Sequence, residues 1–133
     1  NRLPEVFEHS WNAAVWEEVA ERCVGCGTCN LVCPTCYCFD VEDNVDLSLM
    51  EGTRERNWDS CMLNTFAAVA GGENFRHSLA DRQRHRVYRK FKYITDITGE
   101  PWCVGCGRCS AYCTAGISIV EIVNDLCDEY ESK

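Results

Sequence analysis

The sequence predicts a mainly α-helical fold with a short β-hairpin, and three observations support this prediction. Two copies of one cysteine motif start 80 residues apart, at Cys23 and Cys103, in a chain of 133 residues. Apolar residues outside the motifs recur at spacings of three and four, which is typical of amphipathic helices. One segment after the first motif instead alternates apolar and polar residues, as hairpins do. The length favours a single domain, residues 1–133, with a long and mainly helical linker between the motifs.

The segment before the first motif, residues 1–22, is predicted to contain a lead-in helix. An apolar stripe runs from Trp11 to Val19 within residues 10–22, and glutamates occupy much of the remaining face. Pro4 marks a boundary or a first turn just before this helix. The helix would deliver the chain directly to the first cysteine motif.

The linker, residues 35–102, begins with a predicted hairpin. Apolar residues between Phe39 and Leu49 alternate with polar ones around an acidic turn at residues 42–44. The following residues, 50–58, are polar and are predicted to form a loop.

Two helices are predicted in the rest of the linker. Asp59 or Ser60 would cap the first, which a pair of glycines stops at Gly71. The second covers residues 78–95 and opens with Ser78 and an aspartate three residues later, which is the spacing of a capping box. A Gly-Glu-Pro turn then leads to the second cysteine motif.

A C-terminal helix is predicted in the last segment, residues 115–133. Its apolar residues between Ile119 and Tyr130 are spaced by three and four, and its outer face is acidic. Residues 117–119 could instead begin as a short strand, and the pattern alone leaves both possibilities open.

Each cysteine motif, at residues 23–34 and 103–114, has the spacing C-x2-C-x2-C-x3-C. This spacing is typical of iron-sulfur proteins, in which three thiolates wrap one cluster and the fourth ligates the cluster of a partner motif. The sequence therefore predicts two 4Fe-4S clusters with crossed ligands. Cluster 1 would be held by Cys23, Cys26, Cys29 and Cys113, and cluster 2 by Cys33, Cys103, Cys106 and Cys109. A pair of zinc sites and a disulfide framework are the alternatives.

Composition narrows the classes of partner and compartment. Twelve cysteines, most of them in metal-binding motifs, indicate a reducing compartment, and we expect a cytoplasmic protein. The formal net charge is −8, so nucleic acid is not an expected partner. No stretch of this segment is long and apolar enough to predict a membrane span. The first residue is Asn1 rather than methionine, which suggests an excised domain or a processed chain.

Several pieces of sequence resemble a known group of proteins. They are Cys-Pro-Thr-Cys-Tyr-Cys-Phe-Asp at 33–40, Trp-Asp-Ser-Cys at 58–61, Arg-Gln-Arg-His-Arg at 82–86 and the second motif. Together they resemble the C-terminal dicluster domain found in cytoplasmic sulfhydrogenase beta subunits and in the corresponding subunit of anaerobic sulfite reductase. The resemblance runs from about residue 11 to residue 125. Thr114 departs from it, because the family usually has proline after the last cysteine.

The resemblance implies an alpha-helical ferredoxin-like dicluster domain. It also implies the role of an electron-transfer module between a flavin-containing partner and a catalytic subunit of an oxidoreductase. The sequence shows no catalytic set of its own, so we do not expect an enzyme in isolation. The alternatives are a free-standing soluble ferredoxin and a zinc-binding interaction module. The electron donor, the electron acceptor, the reduction potentials and the final substrate are not encoded in the spacing.

Three groups of residues stay outside the predicted sites. The remaining cysteines are expected to pack near the clusters, with a third metal site as the less favoured possibility; they are Cys36, Cys38, Cys61 and Cys127. The basic segment from Arg76 to Lys92 could compensate cluster charge, dock an acidic partner or form a solvated helix face. None of the histidines, which are His9, His77 and His85, is expected to be a ligand.

Overall fold

Helices and one antiparallel hairpin make up the regular structure of this computed structural model, in which residues 2–132 are described. The helices before and within the first motif are α1 (Leu3–His9), α2 (Val15–Arg22) and α3 (Thr28–Leu31). The hairpin consists of β1 (Phe39–Val45) and β2 (Gly52–Trp58). The remaining helices are α4 (Leu79–Tyr88), a π-helical segment (Arg89–Tyr93), α5 (Ile94–Thr98), α6 (Arg108–Ala111) and α7 (Ile119–Glu131).

The N-terminal segment forms two helices rather than the predicted single one. Pro4 lies in the first turn of α1, where its missing N–H is not needed. The chain then bends at Ser10, whose hydroxyl donates to the Val6 carbonyl at 2.6 Å and whose carbonyl accepts the Trp16 indole N–H at 2.8 Å. The prediction of a helix over residues 10–22 was therefore wrong before Val15, because these bonds stabilise a bend instead.

The core lies between α1, α2, α4 and α7. Its largest fully buried side chains include Phe7, Trp16 and Leu126, each about 1% exposed. The Phe7 ring meets the Tyr88 ring edge-on at 5.0 Å, and the Tyr88 hydroxyl donates to the Phe7 carbonyl at 2.7 Å. Burial of one such side chain stabilises the fold by about 1.5 to 3 kcal/mol.

The first and last helices of the fold lie side by side. Arg2 of the N-terminal end forms an ion pair with Glu131, with 3.1 Å between Nη1 and Oε1. The Tyr130 hydroxyl donates to the Glu5 carboxylate at 2.7 Å. These contacts hold α1 against the end of α7.

The long linker helix begins where the sequence predicts. The Ser78 hydroxyl accepts the Asp81 backbone N–H at 3.0 Å, which caps α4. Beyond Tyr88 the helix widens into the π-helical segment and then continues as α5 to Gly99, whose φ of 83° ends it. A π-helical turn shifts the face that the following residues present, and such turns are frequent at functional sites. Lys90 lies in this turn and is buried.

The hairpin is longer than predicted, and its turn lies elsewhere. The strands pair from Phe39 opposite Trp58 to Val45 opposite Gly52, so the connection is residues 46–51 rather than 42–44. Both strands are exposed along their whole length, and therefore no buried face imposes alternation on the second strand. The predicted loop at residues 50–58 was wrong for this reason.

No helix forms at residues 59–70, in contrast to the prediction. These residues form successive turns, with a single bridge between Ala68 and Asn74. The Ser60 hydroxyl accepts hydrogen bonds from the Asn30 amide and the Met62 backbone N–H. Such side-chain bonds compete with a helical backbone, and they explain why the apolar spacing misled the prediction.

The predicted C-terminal helix is confirmed as α7. The Ser118 hydroxyl accepts the Glu121 backbone N–H at 3.4 Å and caps the helix, so residues 117–119 do not form a strand. Among residues 2–132, no helix has the length and apolar character needed to cross a bilayer.

Candidate iron-sulfur sites

The two cysteine motifs have the same local structure. Each contains two glycines in the left-handed region and then a single helical turn, α3 or α6, and these two helices contact each other. Gly27 and Gly107 precede these turns with φ of 77° and 74°. A side chain at Gly27 would be strained at this φ and would meet the Ser60 hydroxyl at 3.0 Å. The sequence repeat is therefore also a structural repeat.

The first cavity contains four cysteines from both motifs. Three come from the second motif and one closes the first motif: Cys103, Cys106, Cys109 and Cys33. Arg86 and Lys90 supply cationic side chains to the same wall. This set of cysteines is the one predicted for cluster 2.

The second cavity repeats this arrangement with the motifs exchanged. Its four cysteines are Cys23, Cys26, Cys29 and Cys113. Gln83, Arg86 and Thr114 line the same cavity, so the residue that departs from the family pattern lies at the site. Four soft thiolates around one cavity suit iron-sulfur clusters and zinc far better than hard oxygen-seeking cations. The donor set in each cavity therefore fits a 4Fe-4S cluster.

Arg86 lies between the two cavities and lines both. Its side chain is only 4% exposed. Burial alone would lower the pKa of this guanidinium, but the thiolates of Cys29 and Cys109 outweigh it and raise the pKa above its ordinary value. Arg86 also hydrogen-bonds to Cys109. It is thus a permanent buried cation shared by both sets of cysteines.

Lys90 and Thr35 form a second polar contact beside the first cavity. The Lys90 ammonium donates to the Thr35 carbonyl at 2.6 Å and to its hydroxyl at 2.9 Å. The Thr35 hydroxyl donates to the Trp102 carbonyl, and its oxygen lies 3.5 Å from Cys33 Sγ. Burial raises the pKa of the Cys33 thiol, but hydrogen bonds with Thr35 and the charge of Lys90 bring that pKa below its usual value.

Gln83 serves the second cavity. Its amide Nε2 donates to Cys23 Sγ at 3.1 Å, and its side chain is 2% exposed. Deep burial raises the pKa of the neighbouring Cys29 thiol to about 11. Because hydrogen bonds to ligand sulfurs tune the potential of iron-sulfur centres, Gln83 is placed to adjust one cavity only.

Sequence reasoning identified the basic segment but did not separate its members. Arg86 and Lys90 are buried beside cysteines, which supports the interpretation of charge compensation for these two. Arg84 instead lies over the Trp11 ring and pairs with Asp81. Lys92 forms ion pairs with Glu8 and Asp96. Three-residue spacing between Gln83, Arg86 and Arg89 was the signal that could have shown one inward face.

The histidines lie against other partners. His9 stacks on Tyr130, and burial together with Arg76 lowers the pKa of His85 to about 4. His85 is also near the Tyr93 ring. The His77 carbonyl accepts from Arg82. None of these three histidines lines either cysteine cavity.

The four remaining cysteines separate into two groups. Cys127 lies on α7 and packs against the hydrophobic core. The other three, Cys36, Cys38 and Cys61, line a further small cavity together with Arg86 and Lys90. In residues 2–132, no three Cys, His, Asp or Glu side chains are arranged to hold a single metal ion.

Fold and site together define a class of protein: a small, largely helical domain that holds two iron-sulfur clusters. The family described as 4Fe-4S dicluster domain matches residues 22–117, and the chain belongs to this family. Its cofactors are two 4Fe-4S clusters, and its function is electron transfer. The expectation of two clusters is confirmed by this match.

A curated relative supports the narrower resemblance. The chain is 42% identical over 124 residues to sulfhydrogenase 2 subunit beta from Pyrococcus furiosus, which covers 93% of this chain. The chain spans 36% of the length of that relative. No solved structure matches the chain.

Proposed function

We propose that this domain relays single electrons between a flavin-containing partner and a catalytic subunit of a cytoplasmic oxidoreductase that works under anaerobic conditions. The observation that carries this proposal is the pair of four-cysteine cavities with one buried arginine between them. The matched relative is named as a subunit, which supports a role within a larger assembly. We infer that the domain is not an enzyme by itself.

The proposed ligands are the two crossed sets. Cys23, Cys26, Cys29 and Cys113 would hold one cluster, and Cys33, Cys103, Cys106 and Cys109 the other. When bound, each cluster accepts and returns one electron. Four cysteine ligands leave no open iron site for a substrate, which supports electron relay rather than substrate chemistry. The same arrangement supports placement of the fold in the alpha-helical ferredoxin class.

Each cavity has one side open to solvent. Cys26 and Cys106 are exposed, and the valines beside them, Val24 and Val104, are 69% and 68% exposed. These two loops are equivalent in the structural repeat. We infer that one loop faces the electron donor and the other faces the acceptor, so that electrons cross the domain past Arg86.

The test is the metal content of anaerobically purified protein together with its EPR spectrum after reduction. About eight iron and eight acid-labile sulfide per chain, with a spin-coupled reduced signal, are expected from two neighbouring cubanes. Zinc without sulfide would instead establish the zinc-binding interaction module. A stable complex with a flavoprotein that reduces the clusters distinguishes a component of a larger assembly from a free-standing ferredoxin. Reduction of the clusters with no such complex would favour the free ferredoxin.

A further inference from the structure

A group of three cysteines lies outside both cluster cavities. Cys36 and Cys38 are half-buried, and Cys61 is 4% exposed. Their thiols form a chain of hydrogen bonds from Cys36 to Cys38 and from Cys38 to Cys61. Three sulfurs therefore converge although Cys61 is more than twenty residues away in sequence. This thiol triad consists of Cys36, Cys38 and Cys61 throughout.

The triad connects a buried cavity with an open pocket. On the inner side, all three cysteines line the small cavity with Asn30 and Arg86. On the outer side, Cys36 and Cys38 line an open pocket of about 300 Å³ at the base of the hairpin. Arg56 and Trp58 belong to the wall of this pocket. A small molecule can thus reach Cys38, whereas Cys61 is reached only through Cys38.

The surroundings of Cys61 favour its thiolate. The hydrogen bond from Cys38 has the largest effect, and with the bond from Asn30 it brings the pKa of Cys61 below its ordinary value despite burial. The Asn30 amide lies 3.1 Å from Cys61 Sγ. A buried thiolate next to a more exposed thiol is the arrangement of a dithiol that exchanges with disulfides.

We propose that Cys38 and Cys61 form a redox-active dithiol that reacts with low-molecular-weight disulfides carrying carboxylate groups, with Cys38 as the attacking residue and Cys61 as the resolving residue. The disulfide would bind in the open pocket, where Arg56 complements its negative charge. This proposal uses none of the cysteines in the cluster cavities, and it does not depend on the proposed electron relay.

The reaction balances in two steps. In the first step the Cys38 proton moves to Cys61, and Cys38 Sγ attacks one sulfur of the disulfide; a mixed disulfide forms at Cys38 and one thiolate leaves. In the second step that thiolate takes the proton from Cys61, and Cys61 Sγ attacks Cys38 Sγ, which releases the second thiolate. The two protein sulfurs lose two electrons in total, and the small disulfide gains them. Excess small thiol reverses the reaction.

A metal site is the main rival explanation of the triad. The triad contains three cysteines, one fewer than a closed structural zinc site or an iron-sulfur cluster normally uses. The absence of any three-residue arrangement suited to a metal ion among residues 2–132 also favours thiol chemistry. Metal analysis decides between the two.

The experiment treats anaerobically purified, cluster-loaded protein with oxidised glutathione and maps the products by alkylation and peptide mass spectrometry. A peptide cross-link between Cys38 and Cys61, reversed by dithiothreitol, is expected, with iron content unchanged. In Cys61→Ser the glutathione adduct at Cys38 should accumulate about tenfold over wild type, because no resolving thiol remains. Cys38→Ser should form neither product, and Cys127→Ser, the matched control, should behave as wild type.

Three results would overturn the proposal. The first is about four additional iron atoms, or one zinc, per chain that disappear in Cys61→Ser. The second is a cross-link between Cys36 and Cys38 with Cys61 free. The third is an adduct at Cys127 but none at Cys38. Circular dichroism of each variant shows whether it is folded, and Cys38→Ala provides a second substitution if Cys38→Ser is not.

Discussion

The shared cation Arg86 leads to a quantitative prediction about both clusters. Arg86→Gln removes one positive charge but keeps an amide that can donate to Cys109. At an effective dielectric constant of about 20 and a separation of about 7 Å, two unit charges interact by about 2.4 kcal/mol. For a one-electron couple, in which 59 mV corresponds to a factor of ten, this energy equals about 100 mV. Relaxation and water would reduce the shift, so we expect both midpoint potentials to fall by about 50 to 100 mV.

The sign follows from charge alone. Adding an electron to a cluster makes it more negative, and a nearby cation stabilises that reduced state. Loss of the cation therefore lowers the potential and makes each cluster harder to reduce. Because Arg86 lines both cavities, the two potentials should fall together.

The assay is an anaerobic redox titration followed by EPR. Arg86→Lys keeps the charge and should shift the potentials much less than Arg86→Gln. Arg84→Gln is the matched control, since Arg84 lies on the same helix but pairs with Asp81 at the surface. The reasoning would be refuted if Arg86→Gln retained both clusters and moved their potentials no more than Arg84→Gln does. A shift in only one potential would refute the sharing.

Three further predictions concern single residues. Cys33→Ser should damage the cluster whose other proposed ligands belong to the second motif, while Cys127→Ser leaves both intact; EPR that shows only the other cluster changed would contradict the crossed pairing. Gln83→Leu removes the hydrogen bond to one ligand sulfur and should lower the potential of that cluster alone, by redox titration; equal shifts in both clusters would disprove this selectivity. Ser78→Ala removes the cap of α4 and should lower the free energy of unfolding by about 1 kcal/mol in chemical denaturation, whereas Ser48→Ala in the exposed turn should change it by less than about 0.5 kcal/mol.

The sequence predicted those parts of the structure where one physical cause dominates. The ligand spacing of the motifs brings the crossed cysteines to common cavities, because short loops with left-handed glycines allow little else. The Ser78 cap and α7 were predictable since local hydrogen bonds and a one-sided apolar face specify them. These features depend little on distant parts of the chain.

The remaining parts depend on contacts that a local pattern does not encode. Residues 59–70 have apolar spacing compatible with a helix, but Asn30 from the first motif binds Ser60 and holds this region in turns. The second hairpin strand has no buried face, and so it carries no periodic signal. Lys90 is directed inward by the π-helical turn, which changes the side that a regular helix would present.

The contact between α1 and the end of α7 has a consequence for protein engineering. Because the two ends of the described chain are adjacent, a short flexible linker should join them without strain, and new ends could be opened in the exposed turn at residues 46–51. In such a circular permutant the second cysteine motif would be translated before the first. A permutant that still binds both cofactors would show that the order of synthesis of the two halves is not a requirement for loading.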